Sequence, residues 1–350
     1  MKQYLITLLL FTAALPMFAQ DKNKDDELYK DPYSVKRFTE KITQVLSETT
    51  GGNISIVGEA TSEPRVEMYV HKQNWRTALS KDEIKQKLEA DYDVNISVSG
   101  GKITATAKSK RKTRDWRDAL NISFRIFVPY NTATTLETSG GNISLTSLNG
   151  TQDFTTSGGN LTVNKLSGNV KGRTSGGNIY LKDSKDNLDL STSGGSIYAS
   201  DCNGKINITT SGGNLELTGL KGDIRAHTSG GNVNGDHISG DLNAATSGGS
   251  IRLKEMSGSV DASTSGGNID LSVSSLTKKI SLNNSAGAIY LALPKNANMD
   301  LRLSADNIKT NTLNNFKGRQ DKERIEGTLN SGGIPVRASS SSGTIHLSLQ

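Results

Sequence analysis

Two groups of side chains have the types and spacing to contact a ligand. A basic segment near position 110 combines positive charge with an aromatic ring, which suits an acidic glycan, lipopolysaccharide or another surface polyanion. Two tyrosines eighteen residues apart could stack on sugar rings. A plainer interpretation stays open for each group, a solvated hairpin loop for the basic segment and an ordinary exposed pair on a sheet for the tyrosines. The candidate ligand contacts are Lys110, Arg111, Lys112, Arg114, Trp116, Tyr180 and Tyr198.

Catalytic and metal-binding groups are not predicted. The four histidines lack metal-ligand spacing, and the single cysteine excludes a cysteine-ligated zinc site. Glycoside hydrolysis needs two carboxyl groups roughly 5 to 9.5 Å apart, and we expect no two carboxylates at a shared outward position on neighbouring copies of the repeat described below. Short turns without insertions also predict no walls for a pocket. We therefore expect no enzyme, no cofactor and no metal.

Composition narrows the class of protein. The chain has 350 residues, of which 33% are hydrophobic, 5% are aromatic and 36 are glycine. Large apolar side chains are too few for a conventional core at this length, which favours a repeat that buries small residues. The formal net charge of +6 is mild and does not indicate nucleic acid. Beyond the N-terminal segment, no apolar run is long enough to predict a membrane span in the mature chain.

The N-terminal segment has the features of an export signal. Lys2 precedes an apolar stretch over residues 4–15, and a short linker then ends on the small residue Ala19. We predict a Sec-type signal peptide over 1–19 and an exported protein located in the periplasm, on the outer surface or outside the cell. In an oxidising compartment the lone Cys202 is expected to be buried rather than reactive.

A repeat of eighteen residues organises the centre of the chain. After each Gly-Gly comes Asn or Ser, then a branched apolar residue, a residue that is mostly polar or aromatic, and usually another apolar residue. This alternation predicts a strand with one buried face, and a second strand follows in each copy. Because Gly and Asn tolerate positive φ, we interpret Gly-Gly-Asn as a tight corner. The string Thr-Ser-Gly-Gly recurs eight times, with its Ser at positions 139, 157, 175, 193, 211, 229, 247 and 265.

These features predict an all-β fold, a single-stranded parallel β-helix (solenoid) with 18 residues per rung and a mixed N-terminal cap. We expect a right-handed coil because parallel crossover connections are nearly always right-handed. The threonine before each corner should point inward and bond along the stack, and the asparagines should form an amide stack. The predicted divisions are the signal peptide over 1–19, a charged flexible leader over 20–35, the N-terminal cap over 36–135, eight regular rungs over 136–282, and C-terminal rungs with a cap over 283–350.

The predicted N-terminal cap contains a short helix and degenerate rungs. Ser80-Lys81-Asp82-Glu83 is a capping box, and the helix that it opens has Ile84 and Leu88 on one face. The segments 50–54 and 99–103 each contain Gly-Gly followed by a strand-like run, so both are interpreted as degenerate rungs. A cap of this kind would cover the open edges of the solenoid, which otherwise promote aggregation.

The Ser-Gly-Gly-Asn-Ile rungs resemble the bacterial "putative adhesin" family, a domain of unknown function with a β-helical fold. The flanking segments match as well: a strand over 121–128 leads to a proline, 289–294 repeats that pattern, and 342–349 is similar to a final rung. The resemblance spans roughly residues 45–350 and brings no catalytic or binding motif with it.

Together, these observations predict an exported, non-enzymatic protein of the cell envelope. It would be adhesin-like or a structural scaffold, and it would present polar sheet faces to a glycan or an envelope protein. Two alternatives stay open, a periplasmic component of an envelope-sensing system and a polysaccharide-active enzyme. Nucleic acid is not an expected partner, and no oligomeric state follows from the sequence.

Overall fold

The computed structural model describes residues 31–60, 63–72, 79–110 and 119–350. Within these ranges the chain forms thirty β-strands and one helix, α1 (Lys81–Asp91). Strands of successive rungs pair in parallel along two stacks, which we name Sheet I and Sheet II. The prediction of an all-β solenoid is therefore confirmed.

The two sheets run the length of the molecule, and β21 bends from Sheet II into Sheet I. In spatial order, Sheet I contains β5 (Tyr92–Ser99), β6 (Lys102–Ser109), β2 (Gln44–Thr49), β8 (Ala133–Thr138), β10 (Asn149–Thr156), β12 (Ser167–Thr174), β14 (Lys185–Thr192), β16 (Asn203–Thr210), β18 (Lys221–Thr228), β20 (Ser239–Thr246), the second half of β21 (Ile251–Thr264), β23 (Ile280–Ala286), β29 (Ile334–Ser342), β25 (Met299–Ser304), β28 (Arg324–Leu329) and β27 (Phe316–Gln320). Sheet II contains β1 (Ser34–Arg37), β4 (Arg65–Lys72), β7 (Leu120–Val128), β3 (Ile54–Gly58), β9 (Ile143–Thr146), β11 (Leu161–Asn164), β13 (Ile179–Lys182), β15 (Ile197–Ser200), β17 (Leu215–Thr218), β19 (Val233–Asp236), the first half of β21, β22 (Ile269–Ser275), β24 (Ile289–Leu293), β30 (Thr344–Leu349) and β26 (Asn307–Thr310).

The core lies between the two sheets. Along each strand, buried and solvent-facing residues alternate, and the inward side chains of all rungs form one continuous apolar cluster. Most of these side chains are Ile, Leu and Val, and the ring of Phe154 is fully buried among them. Equivalent residues of successive rungs stack directly, so a modest apolar content suffices to make a continuous core.

Buried threonines hold each corner to the rung before it. The hydroxyl of Thr156 donates to the Gly141 carbonyl oxygen at 2.8 Å and accepts from the Gly159 N–H at 3.3 Å. The same pair of bonds occurs in all eight copies, from Thr138 to Thr264. The predicted inward threonine ladder is confirmed.

The second glycine of each corner is required for a different reason from the one predicted. The corner glycines do not have positive φ. A Cβ on Gly177 would instead lie 2.0 Å from the carbonyl oxygen of Gly159 in the preceding rung. The other seven copies show the same conflict, at 1.9 to 2.2 Å. Close approach of stacked backbones therefore excludes any side chain at this position.

The asparagine column also differs from the predicted amide stack. The side-chain oxygen of Asn160 accepts from the backbone N–H of Asn178 at 2.7 Å, and that of Asn178 accepts from the backbone N–H of Ser196 at 2.8 Å. Serine continues the ladder, because the Ser196 hydroxyl accepts from the Asn214 N–H at 3.1 Å. Each side chain thus satisfies a corner N–H that has no strand partner.

Positive φ occurs at the other turn of the rung. Ser147, Lys165 and His237 have φ between 52° and 58° at equivalent positions, and a glycine such as Gly222 follows three residues later in most copies, with φ of 117°. The left-handed region is costly for side chains other than Gly, Asn and Asp. This turn therefore carries the backbone strain of the coil.

Both ends of the solenoid are interleaved. The rung formed by β2 and β3 lies between β6–β7 and β8–β9, although β6–β7 follows it by more than fifty residues. At the opposite end, the rung of β29 and β30 lies between β23–β24 and β25–β26. Antiparallel strands complete the outermost edges, including β5, β4, β1, β28 and β27.

The structure confirms the predicted helix of the N-terminal cap but corrects one of its two predicted degenerate rungs. Helix α1 begins with the predicted capping box, in which the Ser80 backbone N–H donates to Glu83 at 2.8 Å, and Leu88 is buried. This hydrogen bond lowers the pKa of Glu83. In segment 99–103, by contrast, the Gly-Gly is not a corner but a two-residue hairpin turn between β5 and β6, with φ of 58° at Gly100 and 75° at Gly101. The run that follows does belong to a rung, because Lys102 and Ile103 begin β6, which pairs in parallel with β2.

The repeat changes its spacing near the C-terminal end. Ile251 pairs with Ile269, eighteen residues later, whereas Ile269 pairs with Ile289, twenty residues later. The two additional residues lie in the turn between β22 and β23.

The only thiol of the chain, Cys202, is buried in the core as predicted. Its sulfur donates to the Ser200 carbonyl oxygen at 3.1 Å and accepts from the Ser184 N–H at 3.4 Å. Burial raises the pKa of the Cys202 thiol to about 11. Because the folded-state pKa lies above the unfolded value, this group contributes stability below the usual thiol pKa, and the contribution is lost as the pH rises toward the folded-state value.

We expect Gly177→Ala to lower the free energy of unfolding by about 1–3 kcal/mol, because the new methyl group overlaps a backbone oxygen. Gly176→Ala is the matched control, since a Cβ there meets its nearest atom at 3.7 Å. The control should stay within about 1 kcal/mol of the wild type. Urea denaturation measures both, and equal effects would refute the close-approach argument.

Thr156→Val should lower the free energy of unfolding by about 1–3 kcal/mol, because it leaves a corner carbonyl and a corner N–H without their partner. The adjacent Thr155 is exposed, so Thr155→Val changes the same atoms without breaking the ladder. Its effect should be within about 0.5 kcal/mol. If the two variants unfold at the same urea concentration, the corner hydroxyl is not a stabilising group.

Cys202 should resist a thiol reagent such as 5,5′-dithiobis(2-nitrobenzoate) at pH 8 while the protein is folded, and should react fully in guanidinium chloride. Burial and the raised pKa both suppress the thiolate. Cys202→Ala supplies the blank for both conditions. Rapid labelling of the folded protein would show that this part of the core opens readily.

Candidate functional site

One column of outward side chains on Sheet II is unbroken from β9 to β26, and we name it the outer row. Each member pairs with the next through the backbone register of adjacent strands. Neighbouring strands are about 4.8 Å apart, so the row places a side chain at each such step along the solenoid. In order, it contains Ser144, Thr162, Tyr180, Tyr198, Glu216, Asn234, Arg252, Asp270, Tyr290, His346 and Lys309.

Tyr180 and Tyr198 lie on adjacent rungs of the outer row. Their ring centroids are 5.3 Å apart and the ring planes differ by 7°, so the two rings stack on each other. The Asn178 amide nitrogen donates to the Tyr180 hydroxyl at 3.4 Å. One face of each ring is therefore covered by the other ring. A sugar could reach the ring edges and hydroxyl groups more easily than the covered faces.

The middle of the outer row is polar and internally paired. The Asn234 amide donates to the Glu216 carboxylate at 2.8 Å. Arg252 and Asp270 follow, with 3.9 Å between their closest nitrogen and oxygen atoms. Both of these charged side chains are more than half exposed, so the contact is weak and can be replaced by a ligand.

A shallow concavity of about 470 Å³ interrupts the flat surface at the C-terminal end of the outer row. The rings of Tyr290 and His346 stack there with centroids 4.8 Å apart and planes 13° from parallel. Asp270 lies on one side of this ring pair and Lys309 on the other, and the loop after β26 adds Asn311 to the lining.

The expectation that the solenoid has no pocket walls is therefore wrong at this end. None of the four outer-row residues of the concavity was a predicted site residue. The added pair of residues between β22 and β23 shifts Tyr290 out of the eighteen-residue register, and His346 reaches it only through the late insertion of β30. The strand 289–293 was visible as a rung, and continuing the outward alternation through it would have identified Tyr290.

Lys110, the candidate contact of the basic segment that the structure describes, is not near the tyrosines. Lys110 follows β6 in Sheet I, whereas Tyr180 is on β13 in Sheet II, four rungs from the level of β6 and β7, or about 19 Å. The Lys110 ammonium donates to the Glu89 carbonyl oxygen at 2.8 Å, near the end of α1, where a cation is favourable. Arg111, Lys112, Arg114 and Trp116 lie outside the described residues.

Sheet I carries an ion pair and a pair of neighbouring aspartates on its outer face. Lys108 contacts Glu48 at 2.7 Å, and this hydrogen bond raises the pKa of Lys108. The expectation that no two carboxylates share an outward column is wrong, because Asp223 and Asp241 are direct register partners. Both are exposed on the open sheet, and Asp241 contacts the Lys278 ammonium at 2.8 Å.

Metal-binding groups and membrane-spanning helices were searched across the four described ranges. Within them, no three His, Cys, Asp or Glu side chains converge as metal ligands. No helix there has the length and apolar character needed to cross a bilayer.

Comparisons with solved structures found similar chains of very low sequence identity. A "putative adhesin" from Bacteroides fragilis NCTC 9343 is 12% identical, with 92% of this chain and 99% of that chain covered and a TM-score of 0.26. A "putative adhesin" from Parabacteroides merdae ATCC 43184 is 11% identical, with 89% and 95% covered and a TM-score of 0.30. A "putative lipid binding protein" from Parabacteroides distasonis ATCC 8503 is 11% identical, with 91% and 97% covered and a TM-score of 0.28.

Superpositions with TM-scores this low transfer no function to this chain. No match was found among curated proteins. The family profile is decisive, because Toastrack DUF4097 matches residues 29–348, nearly the whole described chain. Its extent agrees with the solenoid and both interleaved ends. The chain belongs to the Toastrack DUF4097 family.

Proposed function

We propose that this protein is an exported, non-enzymatic component of the cell envelope that presents the outer row to a glycan or protein partner, as an adhesin or a scaffold. The observation that carries the proposal is the outer row itself, an array of outward side chains held in register from β9 to β26 of Sheet II. A rigid array of this kind suits an extended ligand that makes many weak contacts.

The outer row supports this role better than Sheet I does. It contains two stacked aromatic pairs and contacts that a ligand can replace. The outward positions of Sheet I in the regular rungs are Asn, Ser, Thr, Ala and charged residues with a single His227, and they include no Tyr, Trp or Phe. Aromatic side chains dominate binding energy at interfaces, so Sheet II is the favoured face.

The spacing of carboxylates argues against glycoside hydrolysis. Glu216 and Asp270 of the outer row are three rungs apart, or about 14 Å, which exceeds the separation that either glycosidase mechanism uses. Asp223 and Asp241 are close enough, but Asp241 is held by Lys278 and neither lies in a cavity. The sheets therefore offer surfaces for binding rather than an enclosed site for chemistry.

The proposal includes finer features of the chain. These are the signal peptide over 1–19, an envelope or extracellular location, and a right-handed coil with eighteen-residue rungs through the central region. Lys2 ahead of the apolar stretch over residues 4–15 supports the signal peptide. The spacing of strand partners supports the rung size, and the usual hand of parallel crossover connections supports the right-handed coil. Lys110 to Trp116 remain candidate contacts for an acidic surface ligand.

The test combines location with binding. Intact cells of the source bacterium are treated with protease, with a periplasmic protein as the control, and the labelled mature chain is applied to a glycan array and to isolated envelope fractions. We expect digestion before the control and saturable binding at micromolar concentration. A Tyr180→Ser, Tyr198→Ser double variant should bind at least roughly five-fold more weakly, whereas the Sheet I variant Arg173→Ser should not.

Each negative result has a defined meaning. Protection from protease until the outer membrane is opened would reject surface adhesion and leave the periplasmic scaffold. Absence of binding to every glycan and envelope fraction would reject the proposed function. Equal loss of binding in the Sheet I variant would reject the outer row as the binding face.

A further inference from the structure

The concavity at the C-terminal end of the outer row differs from the rest of the solenoid surface. Elsewhere the outer row is flat, but here the loop after β26 forms a wall beside the floor made by β24 and β30. Its volume of about 470 Å³ is within the range of small-molecule sites. One ligand unit could be held there on more than one side.

The lining of this concavity combines three kinds of group in a fixed order. Asp270, the ring pair of Tyr290 and His346, and Lys309 occupy four consecutive rungs. At the rung spacing, the strands that carry Asp270 and Lys309 are about 14 Å apart. Tyr290 is 44% exposed, one of three large hydrophobic side chains of the described chain that are solvent-exposed.

This order selects against several classes of ligand. A nucleic acid backbone carries negative charge along its whole length, so part of it would face the Asp270 carboxylate, which repels it. An apolar peptide or lipid chain needs a larger apolar lining than one ring pair between two charges. A polyhydroxylated ring suits the site, because a carboxylate accepts from hydroxyl groups and aromatic rings pack against the C–H faces of sugars.

The ammonium at the other end adds a further requirement. Lys309 is exposed and has no ion-pair partner closer than 4.0 Å among the described residues, so its charge is available to a ligand. Together with the imidazole of His346 it offers hydrogen-bond donors at one end, whereas Asp270 offers acceptors at the other. The matching ligand carries hydroxyl groups at one end and a carboxylate at the other.

We propose that this concavity binds the acidic end of a saccharide, with the sugar carboxylate at Lys309 and His346, the ring against Tyr290, and hydroxyl groups at Asp270. The inference rests on the proposed function and names the ligand class of one part of the outer row. No bond is made or broken, so binding is reversible.

The experiment is saturation-transfer NMR and calorimetry on the full mature chain. The probes are galacturonic acid and N-acetylneuraminic acid, each with one carboxylate, and the methyl ester of each is the matched control that removes the charge. We expect both acids to receive saturation from the protein, and each ester to bind roughly five-fold more weakly, the upper end of what an exposed ion pair supplies.

Variants connect binding to the site. Lys309→Gln should lower the affinity for the acids roughly five-fold and leave the affinity for the esters unchanged. Tyr290→Ser should lower the affinity for acids and esters alike. Lys254→Gln, on the same sheet but outside the concavity, is the control and should match the wild type. Circular dichroism melting curves show whether each variant remains folded.

The outcomes separate this inference from the proposed function. Equal binding of acids and esters would overturn the acidic class and indicate a neutral sugar. No saturation transfer to either acid at millimolar concentration, while the glycan array still shows binding, would overturn this site and leave the proposed function standing. Loss of all binding by the wild-type chain on the array would reject the proposed function itself.

Discussion

The fold depends on the contact between one corner and the next. At each corner a threonine hydroxyl donates to one glycine carbonyl and accepts from another glycine N–H. The stacked backbones there approach too closely to leave room for a side chain. Because this contact fixes the position of each rung on its neighbour, it also fixes which outward side chains become neighbours. The order of side chains on the outer surface is therefore a consequence of the buried corner.

Much of this arrangement could be predicted from the sequence, because a repeat without insertions transmits its register from copy to copy. The alternation of apolar residues, the inward threonine and the capping box at Ser80 all follow from local patterns. The role of the corner glycine could not be predicted, because the residue type alone cannot distinguish a need for positive φ from a need for empty space. Residues such as Lys165 and His237, which adopt positive φ, have no distinguishing local signal.

The two ring pairs of the outer row show which contacts the sequence can and cannot reveal. Tyr180 and Tyr198 are neighbours because they are eighteen residues apart, and that is visible in the sequence. Tyr290 and His346 are fifty-six residues apart, and only the insertion of β30 beside β24 makes them neighbours. Features built by long-range pairing are invisible to periodicity, so alternation could place Tyr290 on the outer surface but could not predict its contact with His346.

The interleaved C-terminal rung has a consequence for how the molecule is made. Strands β25 and β26 pair with the solenoid through β29 and β30, which come after them in the chain. Until residues 334–349 are in place, β23 and β24 have no partner strand on that side and the wall of the concavity is absent. Because unpaired strand edges promote aggregation, the pairing of β29 and β30 protects this edge and assembles the concavity in the same step.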